Sequence, residues 1–172
     1  PTLTNRSDLS ERIYAIYSSV DYHISDKTSA KVGLRFEQTD TELSSDTEGI
    51  VVDRNYGELF PSVFLSHKVN DSLSFNTSYS RRISRPTFND MAPFVIFFDP
   101  NTFFSGNPGV QPSIANGFNL GANYKSYLLS AQYTIEDGTI ARFQQEYDEV
   151  NDRLIYVSGN IDETKTFSLT LG

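Results

Sequence analysis

The sequence predicts an all-β chain. The expected fold is an antiparallel up-and-down meander of about seven long strands, forming a section of a larger transmembrane β-barrel. Three observations carry this expectation. Polar and apolar residues alternate with period two over long stretches, most cleanly from Ser29 to Glu37. Connections alternate between tight turns and longer loops, as in barrels with short turns at one end and long loops at the other. The strand stretches reach or exceed the roughly 9–11 residues that cross a membrane at a tilt. Tyr14, Tyr22, Phe36, Tyr79, Tyr124 and Tyr127 fall near their ends, where interfacial aromatic girdles belong.

Residues 1–11 are polar and read as the end of a loop. The first strand runs over residues 12–24, with Tyr14, Ile16, Val20, Tyr22 and Ile24 on one face and Ser19, Asp21 and His23 on the other. Ser25-Asp26-Lys27 makes a tight turn. The second strand covers residues 28–38. Its Ala30, Val32, Leu34 and Phe36 oppose Ser29, Lys31, Gly33, Arg35 and Glu37, a wet face. Residues 39–57 are acidic and rich in Thr, Ser and Asp, and read as a long loop. The third strand, 58–69, has Leu59, Val63, Leu65 and Val69 on its apolar side, with Phe60 and Phe64 among the polar residues opposite. Pro61 lacks a ladder donor and is expected at the strand's start or on a bulge.

Asn70-Asp71 turns the chain into a fourth strand, 72–82, with Leu73, Phe75, Thr77 and Tyr79 outside and Ser74, Asn76, Ser78, Ser80 and Arg82 inside. A long aromatic loop follows, and a fifth strand spans 114–124 with Phe118, Leu120, Ala122 and Tyr124 outward. The sixth strand starts at Tyr127. Asp137-Gly138 reads either as a hairpin turn or as a bulge at Gly138 in a strand that continues to Tyr147. The second reading is preferred, with a loop over 148–152. Residues 153–171 return as one strand, kinked near Gly159-Asn160.

The chain has 172 residues and a formal net charge of -8, which argues against a nucleic-acid partner. With no Cys, it has neither a disulfide frame nor a thiolate metal site. No apolar run approaches the roughly 20 residues of a membrane helix. No signal peptide is recognised at Pro1, although an outer-membrane protein needs one. Nucleotide-binding and hydrolase motifs are missing, and no acid/base pair stands out, so an enzyme is not expected.

The segment from Tyr79 to Gly121 is the most specific part. It contains Y-S-R-R-I-S-R-P, N-D-M-A-P-F, F-D-P-N-T and G-N-P-G-V-Q-P in order, followed by an alternating strand. These pieces, with E-R-I-Y-A-I-Y before and D-R-L-I-Y-V-S-G-N-I-D after them, closely resemble a mid-barrel section of TonB-dependent outer-membrane receptors of Gram-negative bacteria. The resemblance covers nearly the whole chain. It implies a location in the outer membrane and contact with its lipid. It also implies a plug domain and TonB as partners of the complete receptor. The cargo would be a scarce nutrient: a siderophore, cobalamin, glycan or peptide. No cofactor is implied. No plug sequence and no terminal barrel aromatic are recognised, so the chain is expected to be a middle section of the barrel. About seven strands cannot close alone, and their free edges would invite oligomerisation. The alternatives are a non-transporting barrel for secretion, adhesion or assembly, and a soluble β-sandwich that binds sugar or protein.

Two groups of site residues follow. Phe94, Phe97, Phe98, Phe103 and Phe104 form a substrate-facing loop surface or pack the loop on its own wall, and packing is favoured. Arg35, Arg82 and Arg85 are expected toward the lumen. Arg81, Arg82 and Arg85 either attract an anionic ligand or form wall salt bridges, and the bridges are favoured. Glu37, Asp40, Glu42, Asp46, Glu48 and Asp53 lack the ordered spacing of a calcium loop and read as a solvated surface. His23 and His67 have no partner at zinc spacing.

Overall fold

Alternating side chains need a sheet whose two faces meet different surroundings, and the structure supplies one continuous sheet. The computed structural model describes residues 6–149 and 152–172. Its strands are β1 (Ser7–Ser25), β2 (Thr28–Ser45), β3 (Gly49–Asn70), β4 (Leu73–Ser84), β5 (Val95–Asp99), β6 (Thr102–Ser105), β7 (Ser113–Tyr124), β8 (Tyr127–Asp148) and β9 (Arg153–Leu171). One helical turn, α1 (Phe88–Met91), lies between β4 and β5. The spatial order is β1-β2-β3-β4-β7-β8-β9-β6-β5. A single sheet rules out the two-layer sandwich alternative.

The register lines the long strands up in rows, and paired residues share a face. One row reads Val20, Val32, Val63, Tyr79, Phe118, Tyr133, Phe167. The next reads Tyr22, Ala30, Leu65, Thr77, Leu120, Ala131, Leu169. Between them, on the opposite face, lies Asp21, Lys31, Phe64, Ser78, Asn119, Gln132, Ser168. The apolar face stays open, with Val20 64%, Leu120 59% and Phe167 65% exposed. An uncovered apolar face of this extent suits lipid rather than water.

The apolar band also drifts across the sheet. On β1–β3 it climbs to Ile16, Phe36 and Leu59. On β7–β9 it stops at Phe118, Tyr133 and Phe167, below Asn116, Ile135 and Lys165, and reaches down to the Tyr124–Tyr127 pair. Rows run across the strands, so a drifting band means strands tilted to the membrane, as barrel closure demands. The tight turns at Asp26-Lys27, Asp71-Ser72 and Lys125-Ser126 share one end of the sheet.

Several expectations are corrected. The long strands number seven, and β5 and β6 inside the aromatic loop bring the total to nine. β6 pairs parallel to β9, so the meander is not purely antiparallel. β1 begins at Ser7, inside the supposed terminal loop, because β2 offers it an edge to pair with; residues 1–5 lie outside the described set. The supposed loop over 39–57 is a hairpin arm. β2 runs to Ser45 and β3 restarts at Gly49, which takes φ 76° to close the turn. Cross-strand pairs such as Thr39–Tyr56 and Leu43–Val52 suit a pleated surface better than the polar composition suggests.

Pro61 lies within β3, beside the Ser62–Ser80 pair where the β3–β4 ladder ends. β8 continues past Asp137-Gly138, yet the extra residue is elsewhere. Gly138 has φ 66° but the register holds across it, and it shifts between Ala141 and Gln144 instead. The bulge is therefore Arg142-Phe143. The loop after Asp148 falls partly on residues 150–151, outside the described set.

The face assignment has a direct consequence. Leu120→Arg, on the lipid face, is expected to destabilise the folded barrel by about 2–4 kcal/mol, and Gln132→Arg, on the polar face, by far less. Urea titration of the protein in lipid vesicles measures both, and equal costs would contradict the assignment.

Candidate functional site

The connection between β4 and β7 is where chemistry-bearing side chains gather. Its base is built around Asp90. Thr87 precedes α1 and forms a capping box with it: the Asp90 carboxylate accepts hydrogen bonds from the Thr87 N–H and hydroxyl, both at 2.8 Å. The same carboxylate takes two bonds from the Arg142 guanidinium, Nε at 2.8 Å and Nη2 at 2.9 Å, and one from the Ser158 hydroxyl at 3.0 Å. Burial works against its charge. The bonds from Arg142, Thr87 and Ser158 outweigh burial and hold the Asp90 carboxyl at about 2. Asp90 is only 2% exposed. It thus joins the loop to β8 and β9 at once.

The far side of the loop is tied to β2 and β3. Arg54 donates to the carbonyls of Pro108 and Val110, 2.5 and 2.6 Å away. Arg85 donates to Glu37 at 2.6 Å and to Thr39 at 3.0 Å. Met91 packs with Leu43 and Val52 in a small buried cluster. Glu37, Thr39, Thr41, Leu43 and Ser45, every second residue of β2, are consequently buried on the polar face. Asn107 donates to Ser158 O, and Asn160 exchanges bonds with the Gln111 backbone, tying the loop's exit to β9. The loop therefore bridges both flanks of the sheet across its polar face.

From this base projects the β5–β6 hairpin. Gly106 closes its neck, because a Cβ there would sit 2.1 Å from Ala92 O. Phe104 is buried and lies 5.6 Å from the Phe143 ring. Phe98 meets Tyr156 edge-on at 6.0 Å, and Phe97 tilts against Phe103 at 5.8 Å. Phe94 stacks on Phe88 at 5.7 Å. Phe97 and Phe98 nevertheless remain more than half exposed. Phe143, in the β8 bulge, has φ 57°, a strained conformation for a bulky side chain.

Residues 1–172 match the model of the outer membrane protein beta-barrel family. The chain belongs to the outer membrane protein β-barrel family. Its place is therefore the outer membrane of a Gram-negative bacterium. A comparison with curated protein sequences finds no match. Solved receptors share its fold at low identity. The hemophore receptor HasR of Serratia marcescens, in complex with its hemophore and heme, aligns at 14% identity and TM-score 0.72, over 94% of this chain and 31% of that one.

The ferric enterobactin receptor of Pseudomonas aeruginosa, in complex with enterobactin, aligns at 15% identity and TM-score 0.67, over 94% and 24%. A siderophore receptor of Acinetobacter baumannii aligns at 16% identity and TM-score 0.62, over 94% and 25%. The chain thus spans a quarter to a third of these structures. The fold implied by the resemblance to TonB-dependent receptors is the one observed. The matched proteins are receptors rather than enzymes.

Within this family barrel, Arg35 and Arg82 fall on the polar face. Arg35 lies 3.1 Å from Glu37 and over the Phe60 ring at 5.0 Å, whereas Arg82 is exposed. Arg85 shares Glu37 with Arg35. Arg81 bonds Glu58 and the Leu59 carbonyl where the β3–β4 ladder has opened. Glu37, Asp40, Glu42 and Asp53 stand on paired strands, Asp46 and Glu48 lie in the turn between β2 and β3, and no metal-binding cluster is found among the described residues. His67 meets the Thr28 hydroxyl at 2.8 Å beside a tight turn.

Sequence reasoning missed Asp90, Arg142 and Arg54. Thr87 and Asp90 carry a capping-box spacing that was open to detection. Nothing local announces Arg142, 52 residues from its partner and aimed by a bulge.

The charge state of Asp90 gives a pH dependence. Its folded pKa lies below the ordinary 3.8, so its stabilisation is present above about pH 4 and is lost as pH falls toward 2. Pepsin cleavage within 85–112 is expected to rise over that interval. In Asp90→Asn the loop is expected to be loosened by about 1–3 kcal/mol and to be cleaved nearly equally at both ends of the interval.

Proposed function

We propose that this chain forms barrel wall and extracellular loops of a TonB-dependent receptor that takes up a scarce nutrient. The observation that carries the reading is the loop over 85–112. It is tied across the polar face rather than the lipid face, and it presents aromatic side chains at the end of the sheet opposite the tight turns. A wall section that exists only to span lipid needs no such loop. The matched structures, receptors for ferric enterobactin, a siderophore and a heme-carrying hemophore, support the same class of work. The cargo class here is a siderophore, cobalamin, glycan or peptide.

In this reading the chain is one section of a longer protein with a plug domain. The free edge of β1, and that of β9 beyond the stretch held by β6, pair with further strands of the same barrel. Separated from those strands, the section is expected to associate through its edges. Energy comes through TonB, so the section itself needs no cofactor.

The test is growth on each cargo class as sole source, with the gene intact or deleted and with TonB present or absent. The expected result is one class whose use requires both. Normal growth on every class without the gene would sink the uptake reading and favour a barrel for secretion, adhesion or assembly.

A further inference from the structure

A cavity of about 340 Å³ lies between the β5–β6 hairpin and the β8 bulge. Ile96, Phe98, Phe104 and Phe143 form its apolar side, and Thr87, Asn89, Asp90, Arg142 and Ser158 its polar end. The volume lies within the range of small-molecule sites. Phe104 is packed away at 7% exposure, but Ile96, Phe98 and Phe143 remain 46%, 59% and 61% exposed. The hairpin therefore does not use these rings to bury itself. Phe143 also holds φ 57°, so the bulge keeps a bulky ring where glycine would sit without strain. Bulges recur where a strand must re-aim a side chain at a site. Here one bulge turns Arg142 onto Asp90 and Phe143 onto Phe104.

The electrostatics select the occupant. Two nitrogens of Arg142 are committed to the two oxygens of Asp90, so the pair presents no net charge to the cavity. An anionic group entering would meet a guanidinium already paired with a buried carboxylate, and would lose its hydration against apolar walls. An uncharged ring or branched chain loses nothing and gains contact on two sides.

We propose that this cavity receives an uncharged aromatic or aliphatic side group of the transported molecule. The inference rests on the uptake reading above and assigns a chemical character to one part of the cargo. The recognised group is apolar and neutral. The charged part of any cargo must be held elsewhere.

The test uses the full-length protein in detergent or nanodiscs, with 5-fluoroindole as the neutral probe and 4-fluorobenzoate as the charged one, followed by 19F NMR. Fluoroindole is expected to bind, and fluorobenzoate at least tenfold more weakly. Phe143→Gly suits the positive φ and so keeps the bulge, and it is expected to weaken fluoroindole at least tenfold. Phe98→Ala removes the opposite wall and should do the same. Absence of fluoroindole binding, equal binding of the two probes, or binding unchanged in both variants would overturn the proposal. Growth assays separate the two readings: gene-dependent uptake without probe binding removes the cavity inference alone, and probe binding without uptake removes the transport reading and with it the assignment of the bound group to a cargo.

Discussion

The structure depends on one constraint: a backbone in lipid has no water to satisfy its N–H and C=O groups. The ladders through the central apolar rows are therefore continuous. The rows through Val63, Tyr79 and Phe118 pair without interruption from β1 to β9. The register shifts and the opening of the β3–β4 ladder lie away from these central rows. The β3–β4 ladder opens beyond Ser62–Ser80, and the β8 bulge at Arg142-Phe143 lies well along the strand from the lipid-facing Tyr133. Below those points the chain has no freedom; above them it has enough to build a site.

The loop over 85–112 shows how that freedom is used. It is long enough to wander, yet its two flanks are fixed by charge-assisted bonds whose partners lie far away in sequence. Arg54 reaches across from β3, and Arg142 from β8. Burying Asp90 costs free energy, and only a full set of donors offsets it. The arrangement is consequently specific: no single substitution elsewhere in the loop would re-create five convergent bonds on one carboxylate. The hairpin beyond the Gly106 neck lacks such anchors and is held by four parallel pairs to β9 and by ring contacts.

Much of the sheet was legible in the sequence because period two is imposed by lipid on one side and water on the other. Ala30, Val32, Leu34 and Phe36 declare their face without any structure. The register that joins them to Leu65, Val63, Pro61 and Leu59 follows once the turns are placed. Legibility fails where lipid no longer dictates the pattern. Residues 39–57 are mostly polar on both faces, with Leu43 and Val52 packed under Met91, so the alternation of polar and apolar residues fades although pairing continues. β5 and β6 hide in an aromatic run whose rings serve a hairpin rather than a loop. The Arg142-Phe143 bulge was misplaced to Gly138 because glycine is the usual mark of such a site. Here a phenylalanine carries the positive φ, a choice that packing requirements of the sheet alone do not explain. The Asp90 centre was half legible, through its capping spacing, and half not, because its other partners come from distant strands.

The most direct test of the central account is a nitroxide scan of residues 114–124 in the protein reconstituted in lipid bilayers. Accessibility to oxygen should peak at Phe118, Leu120 and Ala122, and accessibility to a water-soluble relaxation agent at Asn119, Gly121 and Asn123. A period of two with these phases would establish a wall with lipid on one face and a wet lumen on the other. A period near 3.6, or equal access of both reagents at neighbouring positions, would contradict it.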